Sequence, residues 1–180
     1  MTEWYYYPLY SQELELAGSL EDLIEFLREG LIADDAYIWT KGMPSITHAD
    51  LVPEILDRLP LMDPEKIAAA CAAAADLDPG SEEHQWALDK LHRLVRFLPE
   101  RAWPIIVRMV ELAPSEAAVD VIAAGPLEDL LCFHGEAFIE RIEKEAKEDP
   151  HFRFALGGVW QRTISEPVWR RVNRLTGGPR

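Results

Sequence analysis

Apolar residues recur at helical spacing along most of the chain. In "SLEDLIEFLREG", Leu20, Leu23, Ile24, Leu27 and Leu31 occupy the i, i+3, i+4, i+7 and i+11 positions of one helical face. Ser19 can cap this helix, Asp22 three residues on closes a capping box, and Gly30 suits the C-terminal end. Thr47 and Asp50 repeat the cap relation ahead of Leu51, Ile55 and Leu59, with Pro53 in about the first turn. Asp63 and Pro64 open an alanine-rich helix, thin enough for neighbours to approach closely. Ser81 caps a helix whose inner face is Ala87, Leu91, Leu94, Val95 and Leu98. "ERAWPIIVRMVELAP" is apolar nearly all round, apart from a strip through Arg101, Arg108 and Glu111, which describes a helix buried on most sides. Ser115 caps the next helix, which ends at Gly125. Pro126 restarts the chain and Gly135 stops it again. Phe138, Ile139, Ile142 and Ala146 then turn inward, with Glu140–Lys144 and Glu143–Lys147 as i, i+4 pairs outside. Pro150 follows Asp149 into another helix, and Val168, Trp169, Val172 and Leu175 mark the last one.

The expected helices begin near residues 19, 48, 63, 81, 100, 115, 136, 150 and 165. Two successive steps make about 35 residues, close to the period of helix-hairpin repeats. The fold class expected is all-α in a single domain, residues 1–180. The hairpins would stack as a degenerate HEAT-like repeat or pack as an irregular bundle. Strand signals are almost absent. Residues 31–46 and the opening "WYYYPLY" read as ordered coil over the first helix, so residues 1–46 form an N-terminal helix plus aromatic coil.

"AAGPLEDLL", the His134-Gly135 pair, "FIERIEKEA", "DPHFRFALGGVW" and the later "VWRRV" resemble a bacterial family known only as a domain of unknown function. The resemblance covers roughly residues 85–175 and is most specific from Gly125 to Trp160. It implies a small helical bacterial protein and no established activity. The block also has a purely structural reading. Gly157-Gly158 in an apolar helix costs about 1 kcal/mol each relative to alanine. Such a pair points to close approach by a backbone or a ring, with Trp160 and Trp169 as candidates. Arg153 is placed to clamp Glu128 and Asp129 between helices.

Charge narrows the partners. The net charge is −14, and residues 151–180 hold six arginines against one acid, Glu166. The acidic body repels nucleic acid and membrane phosphates, so neither is expected as a partner, whereas a basic protein is. The arginine-rich end is expected to pair with the protein's own acidic helices. No apolar run approaches the roughly 18 residues needed to span a bilayer. The N-terminus lacks the pattern of a secretory signal, so the expected location is the cytoplasm. Cys71 and Cys132 sit in apolar helical surroundings and are expected to be reduced, buried thiols.

Candidate chemistry is sparse. The five histidines are 48, 84, 92, 134 and 151, with no HExxH, CxxC or paired His-Asp motif. GxSxG, P-loop and GxGxxG motifs are absent as well. No catalytic residue, metal site or cofactor is therefore assigned. His134 is expected to cap "PLEDLLCF" by bonding its last carbonyls. Trp4, Tyr5 and Tyr6 are either an aromatic anchor for a partner or packing against the first helix. The binding candidates are thus Trp4, Tyr5, Tyr6, Glu128, Asp129, His134, Arg153 and Trp160. The reading that follows is a non-enzymatic protein-interaction module, one version being an immunity or antitoxin-like inhibitor of a basic partner. A metal-dependent or acid/base hydrolase around His84, Asp89, His92 and His134 is the alternative. A homo-oligomer joined by its aromatic N-terminus is a third class.

Overall fold

The computed structural model describes residues 2–8, 13–59, 63–76 and 83–178. Where the sequence reads as one domain, contacts group the chain into two compact units, Met1–Asp63 and Pro64–Arg180. The protein is mostly helical, but the all-α expectation fails in the first unit. That unit holds a small antiparallel sheet.

The strands are β1 (Trp4–Tyr6), β2 (Glu15–Gly18), β3 (Tyr37–Thr40) and β4 (Thr47–His48), in the order β2-β1-β3-β4. Aromatic and β-branched residues dominate β1 and β3, as a half-buried pleated surface favours. Trp4 pairs with Thr40 and Tyr6 with Ile38, which puts these four on one face. Ile38 is fully buried and Trp4 nearly so. Thr40 Oγ1 donates to the Glu3 carbonyl at 2.7 Å. On the other face the rings of Tyr5 and Trp39 meet at a tilt, 5.9 Å apart.

Helix α1 (Leu20–Arg28) lays Leu23, Ile24 and Leu27 into the core formed with this sheet. The Phe26 ring meets Tyr6 edge-on at 6.0 Å. Its capping box is the expected one: the Asp22 N–H donates to Ser19 Oγ, and the Ser19 N–H donates to Asp22 Oδ2 at 2.7 Å. Gly18 precedes it at φ +111°, and a Cβ there would stand 2.5 Å from Asp22 Oδ2. Glycine leaves room for the box to close.

The helix expected from Thr47 to Leu59 breaks up. Thr47 pairs with Ile38 in the sheet, and a 3-10 turn, Ala49–Leu51, follows. Only α2 (Pro53–Leu56) is helical. The proline ring holds Val52 extended, at φ −93° and ψ 113°, so no α-helix runs through this residue into Pro53.

The second unit packs helix on helix. Its elements are α3 (Pro64–Ala74), α4 (Gln85–Phe97), α5 (Pro99–Leu112), α6 (Glu116–Ile122), α7 (Glu128–Glu148), α8 (Pro150–Leu156) and α9 (Glu166–Thr176). Alanine-rich α3 lies against α4 and α5. Ala87, Leu91, Leu94 and Val95 of α4 and Phe138, Ile139, Ile142 and Ala146 of α7 are buried, as the periodicity requires. Trp103 of α5 meets Phe152 of α8 edge-on at 5.7 Å and Phe138 of α7 at 6.1 Å. One indole thereby joins three helices. Ser115 caps α6 by accepting from the Ala118 N–H, and Asp149 caps α8 by accepting from the His151 N–H. The Ser81 cap lies outside the described residues. Helix α4 instead begins after His84, in the left-handed conformation at φ +64°.

The expected break at Gly125-Pro126 is present, with Gly125 non-helical at φ −112° and ψ −108°, whereas the expected stop at Gly135 is a kink. The chain passes from α6 into α7 through a π-helical turn, Ala123–Leu127, around Pro126, which has no N–H to donate. Helix α7 continues past Gly135, bent at His134, where φ is −135° and ψ 15°. Gly135 is buried, and a Cβ there would lie 3.1 Å from a methyl of Val168 on α9. Its lack of a side chain serves helix approach and not a turn. Gly157-Gly158, read as lying within a helix, instead ends α8.

Cys71 is buried and Cys132 half-buried, both as free thiols. Burial pushes the Cys71 thiol up to about 12, so it stays protonated at neutral pH. Iodoacetamide is expected to label no more than Cys132 in the native chain and both thiols in denaturant. Mass spectrometry of the alkylated protein reads the difference.

Candidate functional site

The family-like block centres on one buried carboxylate. Glu128, at the start of α7, has a side chain only 3% exposed. Its Oε2 accepts from the Trp160 backbone N–H at 2.9 Å, and its Oε1 accepts from Arg162 Nη1 at 2.9 Å. The reversal at Gly157-Gly158 folds the following loop back over the start of α7. Arg162 sits there in the left-handed region, at φ +36°. A non-glycine residue takes that conformation only where its surroundings hold it. The hydrogen bond to Glu128 and its negative charge raise the Arg162 pKa. A carboxylate buried and bonded through both oxygens anchors a loop.

This arrangement corrects several sequence assignments. The clamp on Glu128 is Arg162 and not Arg153, which is exposed beside Phe154 and Leu175. Trp160 does not pack inward. Its backbone is held by Glu128 while its side chain leaves the residue 66% exposed. His134 does not cap its own helix, because its Nε2 lies 3.3 Å from the Arg96 carbonyl at the end of α4. Nothing in a period of 3.6 marks Arg162. The one available signal was the Gly-Gly pair that closes α8.

Other terminal arginines also pair within the unit. Arg171 holds Glu143 with two parallel bonds of 2.7 and 2.9 Å. These bonds hold the Glu143 carboxyl below its ordinary range. The sign follows from linkage. The Glu143 contribution to stability is present above the unfolded carboxylate value of about 4.3 and is lost as pH falls through the lower folded value. Glu143→Gln is therefore expected to flatten the acid limb of a stability-versus-pH curve, followed by urea denaturation between about pH 2.5 and 6.

The histidine candidates are dispersed. Asp89, His92 and Asp129 line one cavity of about 270 Å³ beside Pro126, with His92 Nδ1 3.8 Å from Asp129 Oδ2. His134 lines a different one, with Cys132, Thr163 and Ser165. Among the described residues, no three His, Cys, Asp or Glu side chains gather as a metal ligand set.

A larger cleft, of about 830 Å³, lies in the N-terminal unit. Tyr6, Tyr7 and Pro8 line it from the end of β1, Leu31 to Ala33 from the segment after α1, and Tyr37, Ile46 and His48 from around β3 and β4. His48 stacks on Tyr37 at 4.1 Å, and its Nδ1 lies 2.6 Å from the Asp35 carbonyl. The aromatic N-terminus is therefore divided in role. Trp4 belongs to the core, Tyr5 meets Trp39, and Tyr6 spans from Phe26 to the cleft. Sequence reasoning singled out Trp4, Tyr5 and Tyr6, missed Tyr37 and Ile46, and set Leu31 on the apolar face of the first helix, whereas that helix ends at Arg28 and Leu31 lies exposed in the cleft.

The folded chain is thus a mostly helical protein with a small antiparallel sheet. Residues 75–179 match the model of DUF6869, a family of unknown function, and the chain belongs to that family. The match begins earlier than the residues that carried the resemblance. No curated protein and no solved structure matches the chain. No helix among the described residues is long and apolar enough to cross a membrane.

Proposed function

We propose that this chain is a non-catalytic binding protein of the bacterial cytoplasm whose acidic surface takes a basic protein partner, as an immunity or antitoxin-like inhibitor does. The distribution of charge carries the reading. Met1–Asp63 holds thirteen acids against Arg28, Lys41 and Arg58, a net of −10 out of the chain's −14. The second unit, Pro64–Arg180, adds only −4 over nearly twice the length, with nineteen acids against fifteen lysines and arginines, and several of its arginines meet acids of the same unit. A field concentrated on one small unit accelerates encounter with a basic surface and disfavours acidic ones. The helices of the second unit would serve as a rigid HEAT-like stack.

Affinity purification from the native host at low salt tests this. The expected result is a stoichiometric basic protein that dissociates as salt rises. Recovery of the chain alone, or with a partner indifferent to salt, would refute it. The second reading, acid/base or metal chemistry, is favoured by the convergence of Asp89, His92 and Asp129 on one cavity. Zinc or manganese in the purified protein, lost on His92→Ala, is the result that would promote it.

A further inference from the structure

We propose that the cleft of the N-terminal unit is the docking site for an extended segment of a basic partner, with its arginine or lysine side chains seated among Tyr6, Tyr7 and Tyr37. The proposal rests on the acidic-binder reading and deepens it by naming the seat. Three observations support it.

First, the cleft exposes apolar surface where the fold could have covered it. Leu31 is 65% exposed, Tyr37 50% and Ile46 38%, and all three line the same concavity. Removing this surface from water favours an occupant. Second, three tyrosines contribute to one wall system, and aromatic faces attract ammonium and guanidinium groups through their quadrupole. Third, the unit carrying the cleft has a net charge of −10, with Asp35 in the lining and Asp34 next to it in sequence. A neutral or acidic peptide would gain the apolar contact and lose the electrostatic one. A volume of about 830 Å³ exceeds what one side chain fills. The occupant is therefore a segment in which cationic and apolar side chains alternate, so that both kinds of lining are satisfied.

The test is a nitrogen-15 NMR titration of the full chain with two blocked pentapeptides. One alternates leucine with arginine, and the other carries glutamate in place of arginine. The arginine peptide is expected to shift the amides of residues 31–37 and 46–48, less so as salt rises, and the glutamate peptide to leave them in place. Leu31→Lys and Tyr37→Lys put a cation at exposed positions of the lining, so the fold tolerates them. Each is expected to weaken the arginine peptide by about tenfold. Glu148→Gln, an equal charge change at an exposed position of the other unit, is expected to leave affinity within about twofold. Circular dichroism of each variant reports folding.

Equal binding of both peptides would overturn the proposal, because charge would then play no part. Shifts spread over the acidic surface, unaffected by Tyr37→Lys, would overturn the cleft but keep the acidic-binder reading. No shift with either peptide would also overturn the cleft. The salt-dependent purification then decides the broader reading by itself.

Discussion

Replacing Glu128 with alanine is expected to destabilise the helical unit by about 2 kcal/mol, the cost of emptying a buried site and orphaning a backbone donor, since Arg162 itself is 63% exposed and can be hydrated. The carboxylate is 3% exposed, and each of its oxygens accepts one bond. Its loss leaves the Trp160 N–H without an acceptor and the Arg162 guanidinium without its counter-charge. The loop after α8 loses the contact that holds Arg162 at φ +36°. Glu128→Gln keeps an acceptor for the backbone N–H and gives up the charge, so it is expected to cost about half as much. Urea denaturation followed by circular dichroism measures both. A fall in midpoint temperature of roughly 10 °C should accompany the alanine variant. A neutral Glu128→Ala would refute the anchor and leave Arg162 free for another role. Asp129→Ala is the comparison. Its neighbouring carboxylate is 3.8 Å from an exposed His92, a geometry that contributes little.

Gly135→Leu is expected to cost about 2–3 kcal/mol by overpacking. A Cβ at this position already lies 3.1 Å from Val168, so three further carbons must push α9 away from α7. Gly135→Ala is the finer probe. Alanine gains up to about 1 kcal/mol of helix propensity over glycine in a helix interior. The close contact opposes that gain, and the net effect is expected to be near zero. Val168→Ala opens the space, so the double variant Gly135→Ala with Val168→Ala should be more stable than the two single changes predict. That coupling, read as a double-mutant cycle in urea, is the expected sign of direct approach. Additive effects would place the constraint at Gly135 elsewhere, in the backbone bend at His134.

Much of the second unit was legible because its signals are local. The inner faces of α4 and α7 follow a period that any amphipathic helix must keep, and their buried residues are those the period selects. The break at Gly125-Pro126 was legible, since Gly125 leaves the helix at φ −112° and ψ −108°, but the stop at Gly135 misled. Proline and glycine do weaken a helix, but a partner helix can hold it through the weak point. Val168 against Gly135 is such a contact, and no window of sequence contains both residues. The sheet escaped because its strands run two to four residues, too short for alternation to register. The aromatic and β-branched composition of "YIWT" was the signal available.

By itself, then, the sequence determined the helices whose ends are closed by neighbours two or three residues away. The Ser19–Asp22 box, the Ser115 cap and the Asp149-Pro150 start are of this kind, since donor and acceptor lie within one turn. It also determined the acidic balance of the chain. Only the tertiary structure decided that Trp4 pairs with Thr40, that Arg162 and not Arg153 meets Glu128, and that Leu31, Tyr37 and Ile46 share a cleft. Each of these joins residues far apart in the chain. Long-range pairing is selected by the packing of the whole unit, and the periodicity of a single element carries no record of it.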